Sequence, residues 1–195
     1  MSEALPVLLL LGILGAGYLK MGLVLAVLRH ALGGILPLGA VALLSLLLSA
    51  VVTAPLAERA QRAMAARGDP EARLQAGLEP LRNFLRQHAP ARERATALEV
   101  ARRVRPPEER GAVGEEDLSV LAPAFALAEL KRACQIGFLL LLPFLVLDLL
   151  VAALLQGLGL PGLPAAAVSL PFKLLLLVLS DGWRLLAQGL LLGYA

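Results

Sequence analysis

The sequence predicts an all-α, membrane-associated protein. Two N-terminal and two C-terminal apolar helical segments flank a hydrophilic helical insertion. Three observations carry this prediction. Hydrophobic residues make up 58% of the chain and charged residues 17%, against about 45–50% and about 25% in an ordinary soluble domain. The apolar excess falls in two blocks, 4–57 and 118–195, whose runs reach the roughly 17–25 residues of a membrane helix. Between them, leucines recur every three or four positions among charges, the pattern of an amphipathic helix.

The first block opens with residues 4–28, apolar except for Lys20. This reads as one long helix, or as two pieces hinged at the glycines of "GAGYLK". The only early charge is Glu3 and no positive region precedes the apolar core, so the N-terminus reads as retained rather than as a cleaved signal. "RHALGG" follows at 29–34. Arg29 and His30 suit a helix C-terminus, and Gly33 suits a left-handed cap. Residues 35–57 read as a second helix ending near Pro55. The short connection makes the two an antiparallel pair.

Residues 58–117 differ in kind. Leu74, Leu78, Leu81 and Leu85 mark an amphipathic helix, and "RVRPPEERGAVGEED" at 103–117 reads as a loop. About 60 residues cannot bury a large core alone, so this is an insertion and not an enzyme domain. Residues 133–155 form a third apolar stretch, interrupted by Pro143 and Asp148. "GLGLPGLP" at 157–164 is a helix-breaking turn. A fourth apolar segment over 165–195 carries Lys173, Asp181 and Arg184, and the last two segments read as a helical hairpin. The expected domains are therefore 1–57, 58–117 and 118–195.

Several functions are excluded. The net charge is only +3 and aromatic residues are few, so nucleic-acid binding has no support. His30 and His88 lack second ligands at helical spacing, and Cys134 is the sole cysteine; neither a metal nor another cofactor is expected. "GLGLPG" matches the dinucleotide fingerprint literally. It follows an apolar helix rather than a strand, and prolines stand in and beside it, so the match is a decoy. "GLLLG" at 189–193 is a small-residue helix-contact pattern that arises readily by chance in apolar sequence.

Glu129, Asp148, Lys173 and Asp181 stand in or beside apolar runs. A charge at membrane depth costs about 2.5–3.5 kcal/mol on insertion scales, so each needs a partner or water. Lys173 and Asp181 lie about 12 Å apart along a helix and cannot pair with each other. Snorkelling is the bland reading of Lys173, and a helix end at a polar boundary that of Asp181 and Arg184. Asp148, in mid-run, is the hardest of the four to dismiss. One alternative is a small ion-coupled transporter or channel using Asp148 and Lys173.

At this point the residues become recognisable. Over 121–155, Pro123, Ala124, Phe125, Glu129, Leu130, Ile136, Gly137, Phe138, Pro143, Phe144, Leu145 and Asp148 meet a pattern of P-A-F-x-x-S-E-L, I-G-F, P-F-L and an aspartate. Leu170 to Leu174 and Asp181 to Trp183 meet a second block, L-P-F-K-L followed by D-G-W. "LKMGLVLAVLRHALG" at 19–33 resembles a third. The three ordered blocks resemble the family of the flagellar export-gate protein FliP and its injectisome counterpart SctR (YscR).

That resemblance implies a non-enzymatic subunit of the type III secretion export gate in a bacterial inner membrane. It implies kinked helical hairpins assembled, most often in five copies, into a helical cone with a central pore for unfolded substrates. The implied partners are a FliQ/SctS-like hairpin subunit and a FliR/SctT-like subunit. The hydrophilic middle is implied to be periplasmic, although fourteen of the 18 Lys and Arg residues lie in 58–132. The retained N-terminus favours the injectisome branch. An ion pair between copies is implied at Glu129 and Lys173. The family also carries consecutive methionines in the hairpin turn, where this chain has Leu160, Pro161 and Gly162 and no methionine nearby. The pore seal is then expected from leucines such as Leu158, Leu160 and Leu163, or from another subunit.

Overall fold

A computed structural model describes residues 4–65 and 69–194. Glu3, part of the N-terminal reading above, lies outside them. The described residues are helical apart from their turns and loops. They form α1 (Ala4–Ala31), α2 (Leu38–Met64), α3 (Pro70–His88), α4 (Ala91–Val104), α5 (Leu118–Gly157), α6 (Ala165–Leu179) and α7 (Gly182–Leu191), with short 3-10 turns at Arg110–Ala112 and Leu192–Tyr194. Three of them, α1, α2 and α5, are long and apolar enough to cross a membrane. A fourth crossing exists if α6 and α7, bent by 63° at their junction, count as one span. The chain is thus a multi-pass membrane protein by length and composition.

Several boundaries differ from expectation. α1 is continuous, so the glycines of "GAGYLK" do not hinge it. α2 runs through Pro55 to Met64. Proline removes one amide donor and strains a helix, but the leucine and alanine residues beyond it are good helix formers, and Leu56 and Ala60 are buried. α5 starts fifteen residues before the third apolar stretch and reaches 40 residues, about 60 Å. The fourth segment is not one helix but two.

The helices divide into two compact units, one of residues Met1–Lys20 with Leu47–Arg132 and one of Met21–Leu46 with Ala133–Ala195. In the first, Leu78, Leu81 and Leu85 of α3 are buried, as are Val120, Leu121, Ala124 and Phe125 of α5. Phe84 meets Phe125 edge-on at 5.6 Å between ring centres, a favoured aromatic geometry. Gly77 lies so close to the Met64 side chain that a β-carbon would collide with it. Lys131 donates to Glu93 at 2.9 Å, and that bond holds the Glu93 carboxyl below its usual range.

The second unit buries Val24, Leu25, Leu28 and Leu32 and, from α5 to α7, Phe144, Val151, Leu155, Leu177, Leu186 and Leu190. α1 ends as its sequence indicates. Gly33 has φ +66°, and the amides of Gly34 and Gly33 return to the carbonyls of Arg29 (2.8 Å) and His30 (3.0 Å). This is a Schellman cap, for which glycine's tolerance of positive φ is needed.

Candidate functional site

In the first unit the charged centre is Glu129, on α5 and 1% exposed. Lys20 of α1, equally buried, brings its ammonium within 3.1 Å of one carboxylate oxygen. Arg132, three residues on, donates to the other at 2.9 Å. Spacing of three on a helix stacks two side chains on one face. Lys20, the lone charge in its apolar run, is thereby neutralised in place.

In the second unit the centre is Lys173 of α6, 4% exposed. It does not snorkel to a surface. Its ammonium donates to Asp148 of α5 at 2.7 Å and to the carbonyl of Ala31 at 2.8 Å. That carbonyl belongs to the last turn of α1, where carbonyls lack helical partners. The second Asp148 oxygen accepts from the Ser169 hydroxyl, one turn before Lys173 on the same face of α6. One ammonium therefore ties the end of α1, the second half of α5 and the middle of α6. Asp148 itself is about a third exposed, with 32% of its side chain accessible.

Two turns frame this centre. α5 ends in a second Schellman cap. Gly159 has φ +73°, and Leu160 and Gly159 donate to the carbonyls of Leu155 and Gln156. In the turn that follows, Leu158, Leu160 and Leu163 are exposed, and a β-carbon on Gly162 would touch nothing within 4 Å. The other turn is the α6–α7 bend. Asp181 adopts φ +49°, its carbonyl accepts from the amides of Arg184 and Leu185, and its carboxylate pairs with Arg184 in the open. Gly182 lies against Leu177, where a β-carbon would come within 3.0 Å of the Leu177 carbonyl.

The structure thus brings Asp148 and Lys173 together. Glu129 and Asp181 each have other partners within the chain. The ion pair implied for Glu129 and Lys173 joins two copies, and the contacts seen within one chain stand beside it. Sequence reasoning missed Lys20, Arg132 and Ser169 as members of these centres. The signal for Lys20 was present, as the one cation inside α1's apolar run. Ser169 gave none, since a serine in an apolar helix is ordinary.

These centres lie on segments that match a known protein family. The profile of the FliP family matches residues 3–190. The chain belongs to the FliP family. Among FliP-family relatives, the chain is 38% identical over 205 residues to the hypersensitivity response secretion protein HrcR of Ralstonia nicotianae, covering 100% of this chain and 94% of that one. It is 35% identical over 199 residues to Yop proteins translocation protein R of Yersinia pestis, covering 97% and 92%. It is 38% identical over 185 residues to the flagellar biosynthetic protein FliP of Caulobacter vibrioides, covering 91% of this chain but only 68% of the flagellar protein. The injectisome-type FliP relatives thus match the chain nearly end to end, the flagellar one less fully. As a member of the FliP family the chain is a component of the type III secretion export apparatus, and it is not an enzyme.

Proposed function

We propose that this chain is the pore-forming subunit of an injectisome-type export gate. Several copies, about five, would assemble with a FliQ/SctS-like hairpin subunit and a FliR/SctT-like subunit into a helical cone that passes unfolded proteins across the bacterial inner membrane. The observation that carries this reading is the end-to-end match to HrcR and to the Yop translocation protein. The hydrophilic insertion over 58–117 faces the periplasm in this reading. Co-expression with the two partner types should yield a stable multi-copy complex by native mass spectrometry. A chain that purifies as a monomer and transports unaided would refute the proposal.

Between copies, Glu129 of one chain would meet Lys173 of the next. Hydrogen-bonding capacity supports this. An ammonium has three donors, and Lys173 spends two on Asp148 and Ala31. Such a contact sets which neighbour fits and in what register. In a Cys134→Ser background, Glu129→Cys and Lys173→Cys on differently tagged copies should cross-link. Absence of the mixed dimer in an otherwise assembled gate would remove the contact.

The turn over 158–163 would seal the resting pore with Leu158, Leu160 and Leu163 around Pro161 and Gly162. Its support is three exposed leucines on a capped, proline-containing turn. Such a turn is stiffer than the adaptable methionine seal it replaces. Leu160→Met and Gly162→Met should change the resting leak in reconstituted vesicles. An unaltered leak would place the constriction elsewhere.

A further inference from the structure

The second unit holds a cavity of about 480 Å³ beside the C-terminal end of α1, within the roughly 300–1,000 Å³ of small-ligand sites. Leu141, Phe144 and Leu145 of α5 give it an apolar side, and Arg29, His30 and Asp148 give it polar groups. The charges are not balanced. Asp148 is already engaged by Lys173 and Ser169. Arg29 has no carboxylate partner among the described residues. Its Nε donates to the Leu36 carbonyl at 2.8 Å, and its terminal nitrogen would stand 3.7 Å from a β-carbon on Gly34. The guanidinium is thus held by the loop after α1 with four of its five N–H donors left.

A helix C-terminus ordinarily repels anions, because its last carbonyls are unsatisfied. Here that repulsion is blunted. The carbonyls of Leu28, Arg29 and His30 accept from Leu32, Gly34 and Gly33, and that of Ala31 accepts from Lys173. What remains is an uncompensated cation beside an apolar wall, at the end of a helix long enough to cross a membrane. That is the level at which lipid headgroups lie, and basic pockets between membrane helices bind them.

We propose that this cavity binds an anionic phospholipid. Its phosphate takes the free N–H groups of Arg29, with His30 alongside, and its first acyl carbons lie against Leu141, Phe144 and Leu145. The probe is phosphatidylglycerol. The full chain, purified from bilayers of equal phosphatidylglycerol and phosphatidylcholine, should retain the anionic lipid in about fivefold preference, the factor for one basic residue meeting a headgroup that lacks the choline cation. Arg29→Gln should abolish that preference. Arg29→Lys should keep part of it, and Arg184→Gln should keep all. Counting bound lipids by native mass spectrometry reads all four proteins.

Equal retention in wild type and Arg29→Gln overturns the proposal. So does an unchanged lipid preference in Arg29→Gln accompanied by loss of the oligomer, which would assign Arg29 to a carboxylate of a neighbouring protein. If Arg29→Gln does not accumulate, wild type and Arg29→Lys are compared by thermal midpoint. Phosphatidylglycerol should raise it more than phosphatidylcholine or inorganic phosphate, and by less in Arg29→Lys. Equal shifts from the two lipids, or a matching shift from phosphate alone, overturn the lipid assignment.

Discussion

Replacing Lys173 by methionine keeps most of the length of the side chain and removes its charge. Two bonds disappear, one to Asp148 at 2.7 Å and one to the Ala31 carbonyl at 2.8 Å. Stranding one partner of a buried ion pair costs about 3–5 kcal/mol. Asp148 is about a third exposed and keeps Ser169, so water and the hydroxyl recover some of that. The orphaned carbonyl adds about 1–3 kcal/mol where water is absent. Together these place the single substitution at about 3 kcal/mol. Asp148→Leu on the same background removes the stranded charge, so the double variant should be more stable than Lys173→Met alone. A coupling of about 2 kcal/mol or more is expected, above the range for independent sites. Denaturant unfolding in detergent, followed by helicity, measures all four corners of the cycle. Additive single effects, or a Lys173→Met chain as stable as wild type, would refute the pairing and the stapling role built on it.

Other expectations follow from the same contacts. The Glu93 carboxyl is held low by Lys131, so its contribution to stability is present above the unfolded-state value and is lost as pH falls through the folded one. Wild type should therefore exceed Glu93→Gln in thermal midpoint at neutral pH, and the gap should narrow as pH falls below the ordinary glutamate value of about 4.3; a gap unchanged or wider in acid would contradict this. At the α6–α7 bend, Asp181→Val should cost about 1–2 kcal/mol more than Asp181→Gly, because a branched residue resists positive φ. Equal stabilities would mean the backbone there is not left-handed. Gly77→Leu should destabilise the first unit by about 1–3 kcal/mol through overpacking against Met64, and Met64→Ala on the same background should relieve part of it. No relief in the double variant would mean that the two residues do not meet.

Much of the fold was legible because apolar length and glycine position are local signals. The α1 cap at Gly33, the turn at Gly159 and the loop before α5 all follow from residue type at one place. The missed boundaries share a cause. Pro55 ends a helix in isolation, but burial of Leu56 and Ala60 outweighs its missing hydrogen bond. The break of the fourth segment rests on one aspartate at positive φ followed by a glycine against Leu177, and neither residue declares this beforehand. The charged centres were half legible. That Asp148 needed a partner could be read from its place in mid-run. That the partner was Lys173, with Ser169 and a helix-end carbonyl completing the site, depends on three elements far apart in sequence. The resemblance named Glu129 and Lys173 without disclosing Lys20.

The staple at Lys173 also constrains how the chain enters a bilayer. An isolated aspartate or lysine in an inserting helix is costly even short of the bilayer centre, so α5 and α6 presented one at a time meet two separate barriers. Presented together, with the ammonium already on the carboxylate, they meet neither in full. The turn between them, Leu158 to Pro164, is seven residues long, short enough for the pair to meet before either commits. Biogenesis of this region should then behave as a single cooperative insertion event. A ribosome stalled before α6 has emerged should leave α5 accessible to aqueous reagents, and release of the next fifteen residues should bury both at once.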